Sequence, residues 1–147
     1  MNKPISKNIV ERVVIVPENK RLDFLYEHFR TPLFDQLVFR IADKVIKDYS
    51  GGYFEYCLLE DSKAAFLRLG SSEGFTLINP FTNVELENVD DTPTGLIVSL
   101  YALGLLIEDQ GDRCHESLHD IFHDIRTAII DYCDEVGRHD IFYCLVD

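Results

Sequence analysis

The chain has 147 residues, 46% hydrophobic and 27% charged. That is enough for one domain with a single core, and it excludes disordered, collagen-like and coiled-coil classes. Against 14 Lys+Arg stand 26 Asp+Glu, a net charge of −12, so nucleic acid and anionic membrane, which repel such a chain, are not expected as main partners.

The charge is uneven. Residues 1–74 hold 11 basic and 11 acidic side chains, whereas residues 75–147 hold Arg113, Arg126 and Arg138 against 15 acids. The second half therefore carries the whole excess, either as an acidic interaction face or as a device for solubility. The longest apolar run, Leu96 to Ile107 broken by Ser99, falls short of the ~20 residues a membrane helix needs. Met1 to Asn8 carries lysines without a following apolar stretch of signal-peptide length. Cys57, Cys114, Cys133 and Cys144 form no C-x-x-C pair and read as reduced thiols. A cytoplasmic domain is expected.

In chain order, Asn8 to Val16 contains Val13-Val14-Ile15-Val16 ahead of Pro17, which predicts a strand or extended arm over residues 1–15. Arg21 to Phe29 is a short helical candidate. A longer helix is predicted from Thr31 as N-cap and Pro32 as first residue, through the stripe Leu33, Phe34, Leu37, Val38, Ile41, Val45, Ile46 and Tyr49, to Ser50-Gly51-Gly52. The period then shortens. Tyr53–Glu60, Ala64–Leu69, Phe75–Asn79 and Asn83–Val89 are separated by short turns, predicting an antiparallel meander of about four strands.

Asp90-Asp91-Thr92-Pro93 opens a second helix, apolar on nearly every side between Leu96 and Ile107 and so expected to be buried. Gly111 stops it. A third helix, from about Arg113 to Glu135, has Leu118, Ile121, Phe122, Ile125, Ile129 and Tyr132 inward and Glu116, Asp120, Asp124, Asp131 and Asp134 outward. Residues after Gly137 predict a last turn or two packing Ile141, Phe142 and Leu145. The expected architecture is a single α+β domain over residues 16–147: a central meander packed with three or four helices, one of them buried.

The sharpest chemical motif is His115-Glu116-Ser117-Leu118-His119, the H-E-x-x-H spacing that on a helix places two imidazoles on one face for Zn²⁺ and a glutamate near bound water. Its position at the very start of a helix, drifting toward the acidic side, argues for a solvated helix margin rather than a zinc hydrolase. Gly51-Gly52 lacks the Lys-Ser/Thr of a phosphate loop. The row Glu116, Asp120, Asp124, Asp131, Asp134 imitates DNA phosphates only thinly, because its turns repeat at about 5.4 Å against ~3.4 Å per phosphate on one strand.

Several stretches, taken in order, carry a resemblance. They are Val16-Pro17 with Arg21-Leu22-Asp23-Phe24-Leu25 and His28-Phe29, then Tyr49-Ser50-Gly51-Gly52-Tyr53-Phe54-Glu55-Tyr56. Thr94-Gly95-Leu96-Ile97-Val98 with Leu100-Tyr101-Ala102-Leu103 comes next, then His123-Asp124-Ile125-Arg126 and the ending from Ile141-Phe142 to Val146-Asp147. Over residues 16–147 the chain resembles the KlcA/ArdB-type antirestriction proteins of bacterial plasmids and other mobile elements. The resemblance implies an α+β inhibitor of type I restriction enzymes that needs no catalysis and no cofactor. Its partner would be the restriction–modification complex or an associated protein, met as a monomer or weak homodimer. By motif match it nominates Gly51, Gly52, Tyr53, His123, Arg126 and Asp147 as binding residues; Asp120 and Asp124 join them from the acidic helix face. The alternative for each is structural, as a helix stop, a core aromatic or a surface charge. The competing functions are the zinc hydrolase and an acidic interaction module with another target.

Overall fold

The computed structural model describes residues 7–71 and 73–147. Of the expected N-terminal arm, residues 1–6 lie outside the described residues, as does Ser72 in the 70–74 turn. The rest of the arm is anchored: Ile9 is buried and its N–H donates to both oxygens of Glu135. Val13–Ile15 forms strand β1.

The chain continues through helix α1 (Arg21–Phe24), which widens into a π turn over Leu25–Phe29, and helix α2 (Phe34–Val45). Helix α2 starts later and stops earlier than its sequence stripe predicts. Thr31 does not cap it; the Thr31 hydroxyl instead accepts from Leu33 N–H at 3.2 Å in the preceding turn. At the other end Ile46 leaves the helix to bridge Leu77, and Lys47 N–H donates to Thr76 C=O at 2.9 Å. Strand pairing thus claims the last residues of the apolar stripe.

All four expected strands form, as β2 (Phe54–Leu59), β3 (Ala65–Leu69), β4 (Phe75–Ile78) and β5 (Glu85–Val89), but they do not make one meander. They divide into an antiparallel sheet of order β1-β2-β3 and a β4-β5 hairpin. The reason is that the facing edges of β3 and β4 are both occupied. The Ile46–Lys47 segment takes that of β4, and helix α3 (Asp91–Gln110) lies along β3. There the Ser99 hydroxyl accepts from Leu67 N–H at 3.0 Å and donates to Leu67 C=O at 3.3 Å, all of it buried. A serine that merely interrupts an apolar run in the sequence closes a sheet edge in space. Gly95 sits in the same contact, close enough that a Cβ on it would stand 2.4 Å from that of Arg68.

Helix α3 is the buried helix the sequence predicts, with Leu96, Ile97, Val98, Ala102 and Leu103 essentially inaccessible. It ends at Gly111, in the positive-φ region where glycine costs least. Helix α4 (Glu116–Val136) packs across it with Leu118, Ile121, Ile125 and Ile129 inward. After Gly137 at φ 71, helix α5 (His139–Leu145) closes the domain. Helix α5 is held partly by side chains of other elements. Asn79 Nδ2 donates to Cys144 C=O at 2.8 Å, the Tyr101 hydroxyl donates to Leu145 C=O, and the Arg126 guanidinium lies 5.0 Å from the Phe142 ring centre. No described helix is long and apolar enough to cross a membrane.

Candidate interaction surfaces

The stretch Gly51-Gly52-Tyr53 leads from the end of α2 into β2. Both glycines have positive φ, 91° and 154°, and a Cβ on Gly52 would reach within 2.7 Å of Leu69. Their immediate work is therefore to turn the chain tightly beside β3. The turn presents Tyr53, 62% exposed, to one side of Arg21. The Arg21 guanidinium lies between two rings, 4.6 Å from the centres of both Tyr53 and Tyr56, and its Nη2 donates to Phe54 C=O at 3.2 Å. Such stacking suits a planar delocalised cation.

Tyr56 donates its hydroxyl to Asp35 Oδ2 at 2.9 Å. Burial first, and then that hydrogen bond, push the Tyr56 phenol well above its ordinary range, so it stays a donor. Arg21 Nε and Asp35 Oδ1 are buried without a protein partner among the described residues. Leu22 and Tyr26, both more than half exposed, continue the surface along α1 and the π turn. Two stretches that are 28 residues apart in sequence, beginning at Arg21 and Tyr49, thus converge on one aromatic and basic patch. Arg21, Asp35 and Tyr56 are members of this patch that sequence reasoning missed. For Arg21 and Tyr56 the only signal was membership of stretches resembling the antirestriction family, and Asp35 had none.

The acidic face of α4 is partly spent inside the molecule. Asp124 Oδ2 accepts from Lys63 backbone N–H at 2.7 Å, and Asp120 Oδ2 pairs with Lys63 Nζ at 3.2 Å. Together they hold the β2–β3 turn. Asp134 pairs with His139 at 2.7 Å, while Glu135 anchors Ile9. Glu116 and Asp131 stay exposed and make no ion pair among the described residues. His123 is exposed on the same helix, Arg126 covers Phe142, and exposed Asp147 ends the chain with its N–H donating to Phe142 C=O at 2.9 Å. The nominated residues therefore fall on separate surfaces. Gly51, Gly52 and Tyr53 share the Arg21 patch, Asp120 and Asp124 share the turn contact, and Arg126 and Asp147 share α5.

The H-E-x-x-H spacing is not carried on one helix. His115 precedes α4 as its N-cap, and its Nδ1 accepts from Ser117 N–H at 3.1 Å. That cap occupies one imidazole nitrogen and turns His115 away from the helical register of His119. A second constellation, Cys133, Asp134 and His139, lines a recess of about 340 Å³ between α4 and α5. Cys133 is buried there, and burial pushes its thiol up. The larger recess, about 540 Å³ beside α2, is lined by Leu37, Arg40, Asp43, Lys44, Tyr49 and Leu105 among others.

No protein-family model matches the chain, and no curated protein matches it significantly. Its fold is nevertheless similar to that of a solved structure, that of the KlcA and ArdB proteins, described as showing a novel fold and antirestriction activity against Type I DNA restriction systems in vivo but not in vitro. The likeness has a TM-score of 0.65 at 24% sequence identity and covers 82% of this chain and 91% of that one. The α+β fold that the sequence resemblance implies is the fold observed.

Proposed function

We propose that this chain is an antirestriction protein that protects DNA from type I restriction systems by protein–protein contact, without catalysis. The fold likeness to KlcA and ArdB, reached independently of the sequence stretches that resemble that family, supports the activity. The observation that carries the contact mechanism is the exposed Tyr53 ring, stacked on a half-buried Arg21 that the buried Tyr56 backs from within. Arginine and tyrosine dominate the energetics of protein interfaces, since both bury large area at modest entropic cost and also hydrogen-bond. Gly51 and Gly52 fix the loop that presents Tyr53. On the other surfaces, Asp120 and Asp124 of the acidic α4 face steer the protein toward a basic region of the restriction complex, because complementary fields mainly raise association rates, and His123, Arg126 and Asp147 are further contact positions. The site of action is the cytoplasm, and no cofactor takes part.

Because the structural neighbour acts in vivo but not in vitro, the test is cellular: unmodified phage are plated on cells with an active type I system, with and without this gene. Plating should rise strongly with the gene. Unchanged plating at confirmed expression overturns the assignment. With plating established, Tyr53→Ala should abolish most of the gain at unchanged protein level. Full protection by that variant would remove the contact surface proposed here and leave the activity standing.

A further inference from the structure

Tyr53, Arg21, Tyr56 and Asp35 touch in that order from the surface inward, although they come from the loop after α2, the start of α1, strand β2 and the first turn of α2. Tyr53 is largely exposed, Arg21 half-buried and Tyr56 buried. The Tyr53 side chain makes no hydrogen bond among the described residues, so its ring is oriented by the Arg21 guanidinium, 4.6 Å from its centre. Arginine has many rotamers to lose. Arg21 is held by one hydrogen bond, Nη2 to Phe54 C=O at 3.2 Å, and by the Tyr56 ring 4.6 Å from its other face. The Tyr56 ring is in turn fixed at both ends. Phe24 meets it in a T-shaped contact at 5.8 Å, and its hydroxyl donates to Asp35 Oδ2 at 2.9 Å.

We infer that Tyr56 and Asp35 are positioning residues for the contact surface. The hydrogen bond between them sets the plane of the Tyr56 ring, that plane seats the Arg21 guanidinium, and the guanidinium holds Tyr53 toward the partner. The functional half of this inference rests on the contact role proposed for Tyr53; the relay itself does not. A phenylalanine would fill nearly the same volume as Tyr56 without carrying a hydroxyl into a buried place, where it is costly unless bonded. Asp35 supplies that bond. A guanidinium seated against two rings is sensitive to the tilt of either, because the attraction depends on its standing over the ring face. Arg21 Nε and Asp35 Oδ1, on either side of Tyr56, are both buried without a protein partner among the described residues. Their polar atoms are not arranged for the greatest stability, and local rules broken in this way mark functional positions more than packing ones.

The Arg21 Nε–H proton reports on the relay by NMR. It is buried beside two ring faces, so its signal should lie upfield of ordinary arginine side chains and exchange slowly with water. Asp35→Leu and Tyr56→Phe change shape little and remove the same hydrogen bond from its two ends. Both should return the signal toward the ordinary arginine position and speed its exchange. Both should also lower phage protection about tenfold, the change that corresponds to one hydrogen bond to a charged group. Asp35→Asn loses the same charge at the same helix turn but keeps an acceptor oxygen, so it should retain signal and protection. Ser99→Ala, which destabilises the domain elsewhere, should leave the Arg21 signal in place and so separates positioning from general loss of stability. If Asp35→Leu fails to fold, Tyr56→Phe carries the test alone. An unmoved signal in Asp35→Leu and Tyr56→Phe overturns the inference, and so does an Asp35→Asn as defective as Asp35→Leu. A displaced signal with undiminished protection overturns the positioning role if Tyr53→Ala protects poorly. If Tyr53→Ala also protects fully, the contact role of Tyr53 falls and the relay stands.

Discussion

The Ser99 hydroxyl is both acceptor and donor for the same residue, taking Leu67 N–H at 3.0 Å and giving its proton to Leu67 C=O at 3.3 Å. A buried helix closes the edge of a strand in this way, and the strand cannot extend to β4. Ser99→Ala keeps the shape but leaves two buried backbone groups unpaired, which costs about 2–3 kcal/mol of unfolding free energy. Urea denaturation followed by circular dichroism should show a lower midpoint at an unchanged slope. A loss under ~0.5 kcal/mol, the size of an ordinary surface change, would mean that the pair does not close the edge.

Gly95 tests the same contact from its steric side. In a helix interior Gly→Ala ordinarily stabilises by about 1 kcal/mol. Here the added methyl would lie 2.4 Å from Arg68 Cβ and 2.7 Å from Leu67 C=O, and neither a strand backbone nor its Cβ can swing aside. The sign reverses, and Gly95→Ala should destabilise by about 1–3 kcal/mol. Gly104→Ala serves as the contrast, since its nearest neighbour would be Phe122 at 3.7 Å, an ordinary contact. That variant should stay within ~1 kcal/mol of wild type or gain stability.

These two residues show where the sequence is legible. The buried helix α3 and the one-sided stripe of α4 depend on local periodicity, and both stand where the pattern places them. The strands are equally visible between their turns. Their division into two sheets is not, because it depends on which edge Ser99 and Ile46 reach across the fold, and no local pattern encodes that. The end of α2 fails for the same reason: the stripe through Ile46 and Tyr49 is helical in period, but pairing with β4 takes Ile46 first. At the candidate site, Gly51-Gly52-Tyr53 is conspicuous in sequence, whereas its partner Arg21 lies 32 residues before Tyr53. The H-E-x-x-H motif errs in the opposite sense, since its spacing is real but His115 is a cap.

The carboxylates of α4 separate into two kinds, and mutation should tell them apart. Asp124 accepts a backbone N–H from Lys63, a hydrogen bond that fixes the β2–β3 turn, so Asp124→Ala should cost about 1–2 kcal/mol. Asp120 makes only an exposed ion pair with Lys63 Nζ, and Asp120→Asn should cost less than ~0.5 kcal/mol. Glu116→Gln combined with Asp131→Asn removes two unpaired charges and should leave stability unchanged. The steering role proposed for this face predicts that the double variant, at normal stability and expression, protects phage less well. Protection equal to wild type would discard steering, whereas a defect confined to Asp124 would mark a folding effect.

His28 gives the domain a pH dependence of definite sign. It lies half-buried against Phe24, ring centres 5.0 Å apart, and burial lowers its pKa below the ordinary 6.5, with Glu27 opposing the shift only in part. A histidine whose folded pKa is depressed binds fewer protons in the native state than in the unfolded one. Stability therefore rises with pH across the interval between the folded and unfolded values. Above 6.5 the contribution is constant. As pH falls below it, the unfolded state gains a proton first and the domain loses stability until the native imidazole also charges. The melting midpoint should therefore drop on going from about pH 7.5 to about 5.5. His28→Gln, which cannot titrate, should flatten that part of the profile while the carboxylate-driven loss at lower pH remains. Parallel profiles for the two proteins across this interval would show that His28 is as well solvated in the folded chain as in the unfolded one.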